Sequence, residues 1–112
     1  MDMNSPVPQS VISLLSTLGD QQRQRILHAF VDACSWELPA TAIADRCAPL
    51  SRPAVSHHLA MMRRADILTA RRDGRCIFYA INRMHIEQAL RSFLAFLETC
   101  CAPAPAETEA AP

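Results

Sequence analysis

SRPAVSHHLAMMRRADILTARRDGRCIFYAI, residues Ser51 to Ile81, sets an amphipathic segment directly before a basic hairpin pattern. Ser51 is a helix-capping residue type, because its hydroxyl accepts a hydrogen bond from an otherwise unpartnered backbone N–H. Pro53 suits a first helical turn, where no intrahelical N–H is required. Val55, Leu59 and Met62 then recur at i, i+4 and i+7 and predict a helix with one apolar stripe. The opposite face carries Arg52, Ser56, His57 and Arg63. Alone, such a face is more often a solvated surface than a binding one. Its residue types suit a major groove, which admits one helix and offers base edges and phosphates to Arg, Ser and His. His58 stands beside Leu59 and reads equally as an inward scaffold residue or a further contact.

The hairpin pattern decides between a solvated face and a binding one. The runs Ile67 to Arg72 and Arg75 to Ile81 flank Asp73-Gly74, and Asp-Gly predicts a two-residue type I′ turn. In the second run Ile77, Tyr79 and Ile81 alternate with Cys76, Phe78 and Ala80, so one face can be buried. Arg71, Arg72 and Arg75 bracket the tip with only Asp73 to oppose them. A basic tip of this kind suits phosphates or a narrow minor groove. Charged hairpin tips and amphipathic helices are each common; in tandem they read as a helix for a DNA groove followed by a wing. Arg63 or Arg64, with the three tip arginines, would grip the backbone.

Working outward, Gln9 to Leu18 predicts a first helix with Val11, Ile12, Leu15 and Leu18 apolar. Asp20 caps a second, running to about Asp32, with Ile26, Leu27 and Phe30 inward. Leu38 to Arg46 is expected as a short third helix packed across the fourth, giving a helix-turn-helix. Asn82 caps a last helix reaching Cys101, along which Ile86, Leu90, Phe93, Leu97 and Cys100 form a seam for another helix. The expected class is mainly α with a small β-hairpin, a winged helix-turn-helix of order α-α-α-α-β-β-α. Residues 1–8 read as a loose segment, 9–101 as the folded domain and 102–112 as a disordered tail rich in Pro, Ala and Glu.

Composition agrees. At 112 residues the chain is one domain with a modest core, to which a dimer interface would add. Formal net charge is zero, so bulk charge does not recruit a polyanion. Charge is local instead: Arg52 to Arg75 holds six Arg and two Asp, a balance of +4. A two-fold homodimer, joined through the first and last helices, would turn both basic edges to one duplex carrying an inverted repeat. No signal peptide or membrane span is visible, so a cytoplasmic protein with its five cysteines reduced is expected.

These motifs together resemble the ArsR/SmtB family of winged-helix repressors. SRPAVSHHL is similar to the family's recognition helix, RRDGRCIFYAI to its wing, and LGDQQRQRIL, Leu18 to Leu27, to the opening of its second helix. The resemblance covers roughly residues 10 to 101; Cys47-Ala48-Pro49-Leu50 is a residue longer than the usual turn before the recognition helix. It implies a repressor released from its operator by an effector. Some arsenic sensors of the family resemble this chain in a vicinal Cys pair, here Cys100-Cys101. Two neighbouring thiols chelate soft centres, so trivalent arsenic or antimony fits, as arsenite, methylarsenite or antimonite. Methylarsenite suits two thiols best, since no third is placed nearby. Reversible thiol oxidation or persulfidation is the rival use of the pair.

The family's Cys motif of the third helix is missing from ELPATAIA, Glu37 to Ala44, and so is the zinc pattern of its last helix, because with His85 first the other ligands would be Arg83, Phe96 and Thr99. Zinc is disfavoured, and no obligatory cofactor is expected. Cys34, Cys47 and Cys76 read as small hydrophobes, and His28 as a satisfied structural residue among apolar neighbours. An enzyme is not expected: two glycines make no phosphate loop, and no nucleophile stands beside a base. A winged helix that binds only protein, without DNA, is the competitor from another class.

Overall fold

The computed structural model describes residues 7–100. They form α1 (Gln9–Leu18), α2 (Gln21–Ala33), β1 (Glu37–Pro39), α3 (Ala40–Arg46), α4 (Arg52–Arg64), β2 (Leu68–Asp73), β3 (Cys76–Ile81) and α5 (Arg83–Cys100). This is the expected winged helix-turn-helix, with one strand added between α2 and α3. The tail at 102–112 and most of the segment at 1–8 lie outside the described residues; Pro8 is the N-cap of α1, its carbonyl accepting from the Val11 and Ile12 amides.

The helix boundaries follow local chemistry. Asp20 accepts from the backbone N–H groups of Gln22 (2.7 Å) and Arg23 (3.3 Å), and the Gln22 bond leads in holding its carboxyl below the ordinary aspartate range. Ser51 accepts from the Ala54 amide at 3.2 Å and starts α4. Helix α4 ends as Asp66 turns left-handed at φ 61° and the Ile67 amide reaches back to the Met62 carbonyl, which redirects the chain into β2. Helix α2 stops the same way at Cys34, φ 53°, with the Ser35 amide on the Phe30 carbonyl.

Two expectations are corrected. The third helix begins at Ala40, because Pro39 biases Leu38 away from helical torsions. Glu37 to Pro39 instead pairs antiparallel with β3, Leu38 opposite Tyr79, in a sheet of order β1-β3-β2. Proline is tolerated there because β1 is an edge strand. The hairpin turn is also displaced by one residue: Asp73 pairs with Cys76, leaving Gly74-Arg75 as the two-residue loop. Of the two, only Gly74 has positive φ (65°), which marks a type II′ turn with glycine first and not the expected I′.

One core joins these elements. Leu14 of α1, Ile26 and Phe30 of α2, Ile43 of α3 and Val55, Leu59 and Met62 of α4 are buried together with Ile67, Leu68 and Ala89. The α4 stripe is thus buried as its spacing predicts. Against α1, helix α5 turns Ala89 inward, with Ile86 half-buried.

Ser51→Ala should lower folding stability by about 1 kcal/mol, whereas Ser51→Gly should cost only a few tenths. Leu59→Ala, which opens a cavity at a fully buried site, should cost about 2–5 kcal/mol. Urea unfolding followed by circular dichroism checks all three.

Candidate nucleic-acid interface

With Val55, Leu59 and Met62 inward, Arg52, Ser56, His57, Arg63 and Arg64 are all exposed on α4. Only two of them have hydrogen-bond or ion-pair partners for their side chains among the described residues, while the His57 ring lies edge-on to that of His58. Arg52 lies 3.6 Å from Asp45 of α3, both side chains solvated, and Arg64 donates weakly to the Met61 sulfur at 3.7 Å. An exposed pair of this kind is worth little and exchanges readily for another anion. A groove lined by Ala60, Arg63, Arg64 and Tyr79 joins the C-terminal part of α4 to the sheet.

His58 takes the scaffold role. Its Nδ1 accepts from Nε of Arg23 at 3.2 Å, and the same guanidinium donates to the Thr17 carbonyl at 3.4 Å. This chain of bonds ties α4 to α2 and to the end of α1. Arg25 performs a similar task at the turn, donating to the carbonyls of Ala48 (2.8 Å) and Cys47 (3.4 Å) and to Gln22. Neither arginine stands out in the sequence as structural, since the His58 ring that Arg23 meets and the carbonyls that Arg25 satisfies belong to distant residues.

The three wing arginines are not equivalent. Arg72 and Arg75 are exposed and have no ion pair among the described residues. Arg71 is held: Nε and Nη2 donate to the two carboxylate oxygens of Glu37 on β1 at 2.8 and 2.9 Å. Its guanidinium also lies 4.5 Å from the Phe78 ring centroid, and Asp73 approaches to 3.9 Å. The Arg71 hydrogen bond leads in holding the Glu37 carboxyl below the ordinary glutamate range, and reciprocally raises the pKa of Arg71.

The cysteines divide as well. Cys47 is buried, which pushes its thiol pKa up. Cys34 and Cys76 are exposed, contrary to their reading as small hydrophobes: one sits past the end of α2 and the other beside the hairpin loop. Of the proposed effector pair, Cys100 is the last residue of α5; its side chain and Cys101 lie outside the described residues. His28 is exposed on α2, paired with Asp32 at 3.2 Å, and not among apolar neighbours.

A broad apolar face completes the surface. Ile12 and Leu15 of α1 and Leu90, Leu94 and Leu97 of α5 are each between 41 and 59 % exposed. The seam expected along α5 is therefore only half used within the chain: Ile86 and Phe93 are partly covered, while Leu90 and Leu97 are open. No helix among the described residues is long and apolar enough to cross a membrane.

No family model matches the chain. It is 32 % identical over 78 residues to the HTH-type transcriptional regulator KmtR of Mycobacterium tuberculosis, covering 70 % of this chain and 57 % of that protein. The chain thus spans little more than half the length of that relative. It is 25 % identical over 85 residues to the transcriptional repressor SdpR of Bacillus subtilis, covering 76 % and 90 %. Among solved structures, HlyU from Vibrio cholerae superposes with a TM-score of 0.59 at 27 % identity, over 79 % of this chain and 94 % of that one. A "possible transcriptional regulator for arsenical resistance" gives 0.60 at 27 %, over 73 % and 81 %. The ArsR family transcriptional regulator RHA00566 shares the fold at 0.67 with 16 % identity, over 83 % and 91 %.

Because the folded pKa of Glu37 lies below its unfolded value, the clasp's contribution to stability is complete above the unfolded pKa. It is lost as pH falls through the lowered folded value. A carbon-13 NMR titration should find Glu37 protonating below the ordinary glutamate range, and Arg71→Ala should return it to that range.

Proposed function

We propose that the chain, which resembles ArsR-family winged-helix transcriptional regulators in fold and HTH-type regulators in sequence, acts as a dimeric DNA-binding repressor whose effector meets the end of α5. The observation that carries the DNA reading is the exposed face of α4, Arg52, Ser56, His57, Arg63 and Arg64, followed in the chain by a wing with Arg72 and Arg75 open to solvent. Arg52, Ser56 and His57 meet base edges and nearby phosphates in the major groove. Arg63, Arg64, Arg72 and Arg75 neutralise the backbone.

The exposed apolar face of α1 and α5 is where a second copy docks, since a monomer would leave it in water. Two-fold symmetry then sets the two α4 helices against half-sites about one helical turn apart, so the operator is an inverted repeat. Repression follows from occupancy of that site.

For the effector we assign a trivalent arsenical or antimonite, bound by the adjacent thiols of Cys100 and Cys101. Thiolates select soft centres, and the likeness to a regulator named for arsenical resistance supports the choice. Ligation at the end of a helix that forms the dimer face alters the spacing of the two recognition helices. Effector and DNA then weaken each other's binding reciprocally, by about 1–3 kcal/mol.

In mobility-shift titrations on the region upstream of its own reading frame, Arg52→Ala should cost about 1–3 kcal/mol and relax sequence preference. Arg75→Ala should weaken binding evenly across sequences and lower the salt slope by about 1. Loss from Arg52→Ala that is equally sequence-blind would remove Arg52 from base recognition, and no shift at low salt leaves the fold as a protein-binding module. Leu94→Glu should convert the dimer to monomer in sedimentation equilibrium. Arsenite or methylarsenite should release the operator from wild type but not from Cys100→Ser or Cys101→Ser; release by peroxide or persulfide in their place reassigns the pair to redox sensing.

A further inference from the structure

Resting on the DNA-binding proposal, we infer that Arg71 is a positioning residue and not one of the wing's phosphate ligands: clasped by Glu37, it holds the wing and the helix-turn-helix in one fixed relation. The wing's contacts with phosphate fall to Arg72 and Arg75.

The geometry leaves Arg71 little to offer a duplex. Two of its N–H groups are spent on the Glu37 carboxylate in a parallel fork, at 2.8 and 2.9 Å. The plane of the guanidinium is engaged by Phe78, 4.5 Å away, and Asp73 stands at 3.9 Å. A phosphate recruiting this side chain would have to displace a carboxylate already making the bidentate, charge-assisted pair that a phosphate could only reproduce. The exchange gains little and releases fewer counterions than a free arginine would.

Topology says what the pair does instead. In the sheet order β1-β3-β2 the two residues lie on the two outer strands, Glu37 opposite Ala80 and Arg71 opposite Phe78. Ala80 and Phe78 are two apart on β3 and so share one face, and the ion pair crosses that face from edge to edge. A two-stranded ribbon is marginal without support, and beyond Leu68 no residue of β2 is buried. Strand β1 is short, but Pro39 is also the N-cap of α3, the first helix of the helix-turn-helix. The clasp therefore ties the wing to the element that packs behind the recognition helix. Arg72, on the opposite face of β2, and Arg75, in the loop, have no such partner among the described residues.

Charge and position make opposite forecasts, which an equilibrium binding series separates. The probes are the duplex upstream of the reading frame and sheared genomic duplex DNA, each titrated over a range of salt. If Arg71 positions the wing, Glu37→Gln weakens binding roughly fivefold or more, although it removes a negative charge from the wing's neighbourhood. Arg71→Lys weakens it alike although the charge is kept, because lysine makes neither the fork nor the stack. Both keep the wild-type salt slope, whereas Arg72→Ala lowers it by about 0.9. In the free proteins, hydrogen exchange at the backbone amides of β1 and its β3 partners accelerates in both variants, while protection in α2 and α4 is unchanged and shows that they are folded. Tighter binding by Glu37→Gln, or an Arg71→Lys variant equal to wild type, overturns the inference and makes Arg71 a phosphate ligand. Wild-type protein that binds neither duplex overturns the DNA reading itself, and this inference with it.

Discussion

Burial of Val55, Leu59 and Met62 is the constraint on which the rest of the surface depends. Each side chain is no more than 2 % exposed, and withdrawing each from water contributes about 1.5–3 kcal/mol. A helix has one rotation about its axis that buries a stripe at i, i+4 and i+7. Once that rotation is set, Arg52, Ser56, His57 and Arg63 have nowhere to point but outward. The polar face is thus a product of the core, and any shift in core packing would re-aim it. Cys47 and Ile43, buried against the same helix, belong to this requirement as much as α4 does.

Rotation alone does not fix where the helix sits, and here two arginines of α2 supply what apolar packing lacks. Arg25 satisfies the Cys47 and Ala48 carbonyls in the turn between α3 and α4, while Arg23 joins His58 to the Thr17 carbonyl. Directional bonds to backbone oxygens resist sliding in a way that non-directional burial cannot. Helix α4 is consequently clamped at its entry by Arg25, near its middle by His58, and at its exit by the left-handed Asp66.

How much of this could be read in the sequence depended on the range of the interaction responsible. Helix α1 has the expected bounds, and the caps at Asp20, Ser51 and Asn82 are as anticipated, because each is decided within three or four residues. Strand β1 was not legible, since three residues become a strand only through pairing with β3, some forty positions away. The hairpin was legible but its register was not: Asp-Gly and Gly-Arg are adjacent loop alternatives whose cross-strand partners differ by two residues, and pairing of Asp73 with Cys76 selected the second. At the candidate interface the exposed face of α4 followed from periodicity. That Arg71 is clasped and Arg72 is open did not, because Glu37 lies 34 residues from Arg71 and charge counting treats the wing arginines alike.

That distinction bears on how a chain of zero net charge could hold DNA at all. The formal balance of +4 between Arg52 and Arg75 overstates the charge on offer, because Glu37 lies outside that stretch yet neutralises Arg71, and Asp45 lies near Arg52. Arg63, Arg64, Arg72 and Arg75 remain without an acidic partner among the described residues. Four phosphate contacts would give a shallow salt dependence and modest affinity; the proposed dimer, by doubling them on one body, would raise both. In such a dimer the second recognition event would become intramolecular, at an effective concentration far above that of a free protomer. On this argument the apolar face of α1 and α5 and the basic face of α4 are not separate features. If the chain dimerises as proposed, the first is what would make the second sufficient in a neutral chain.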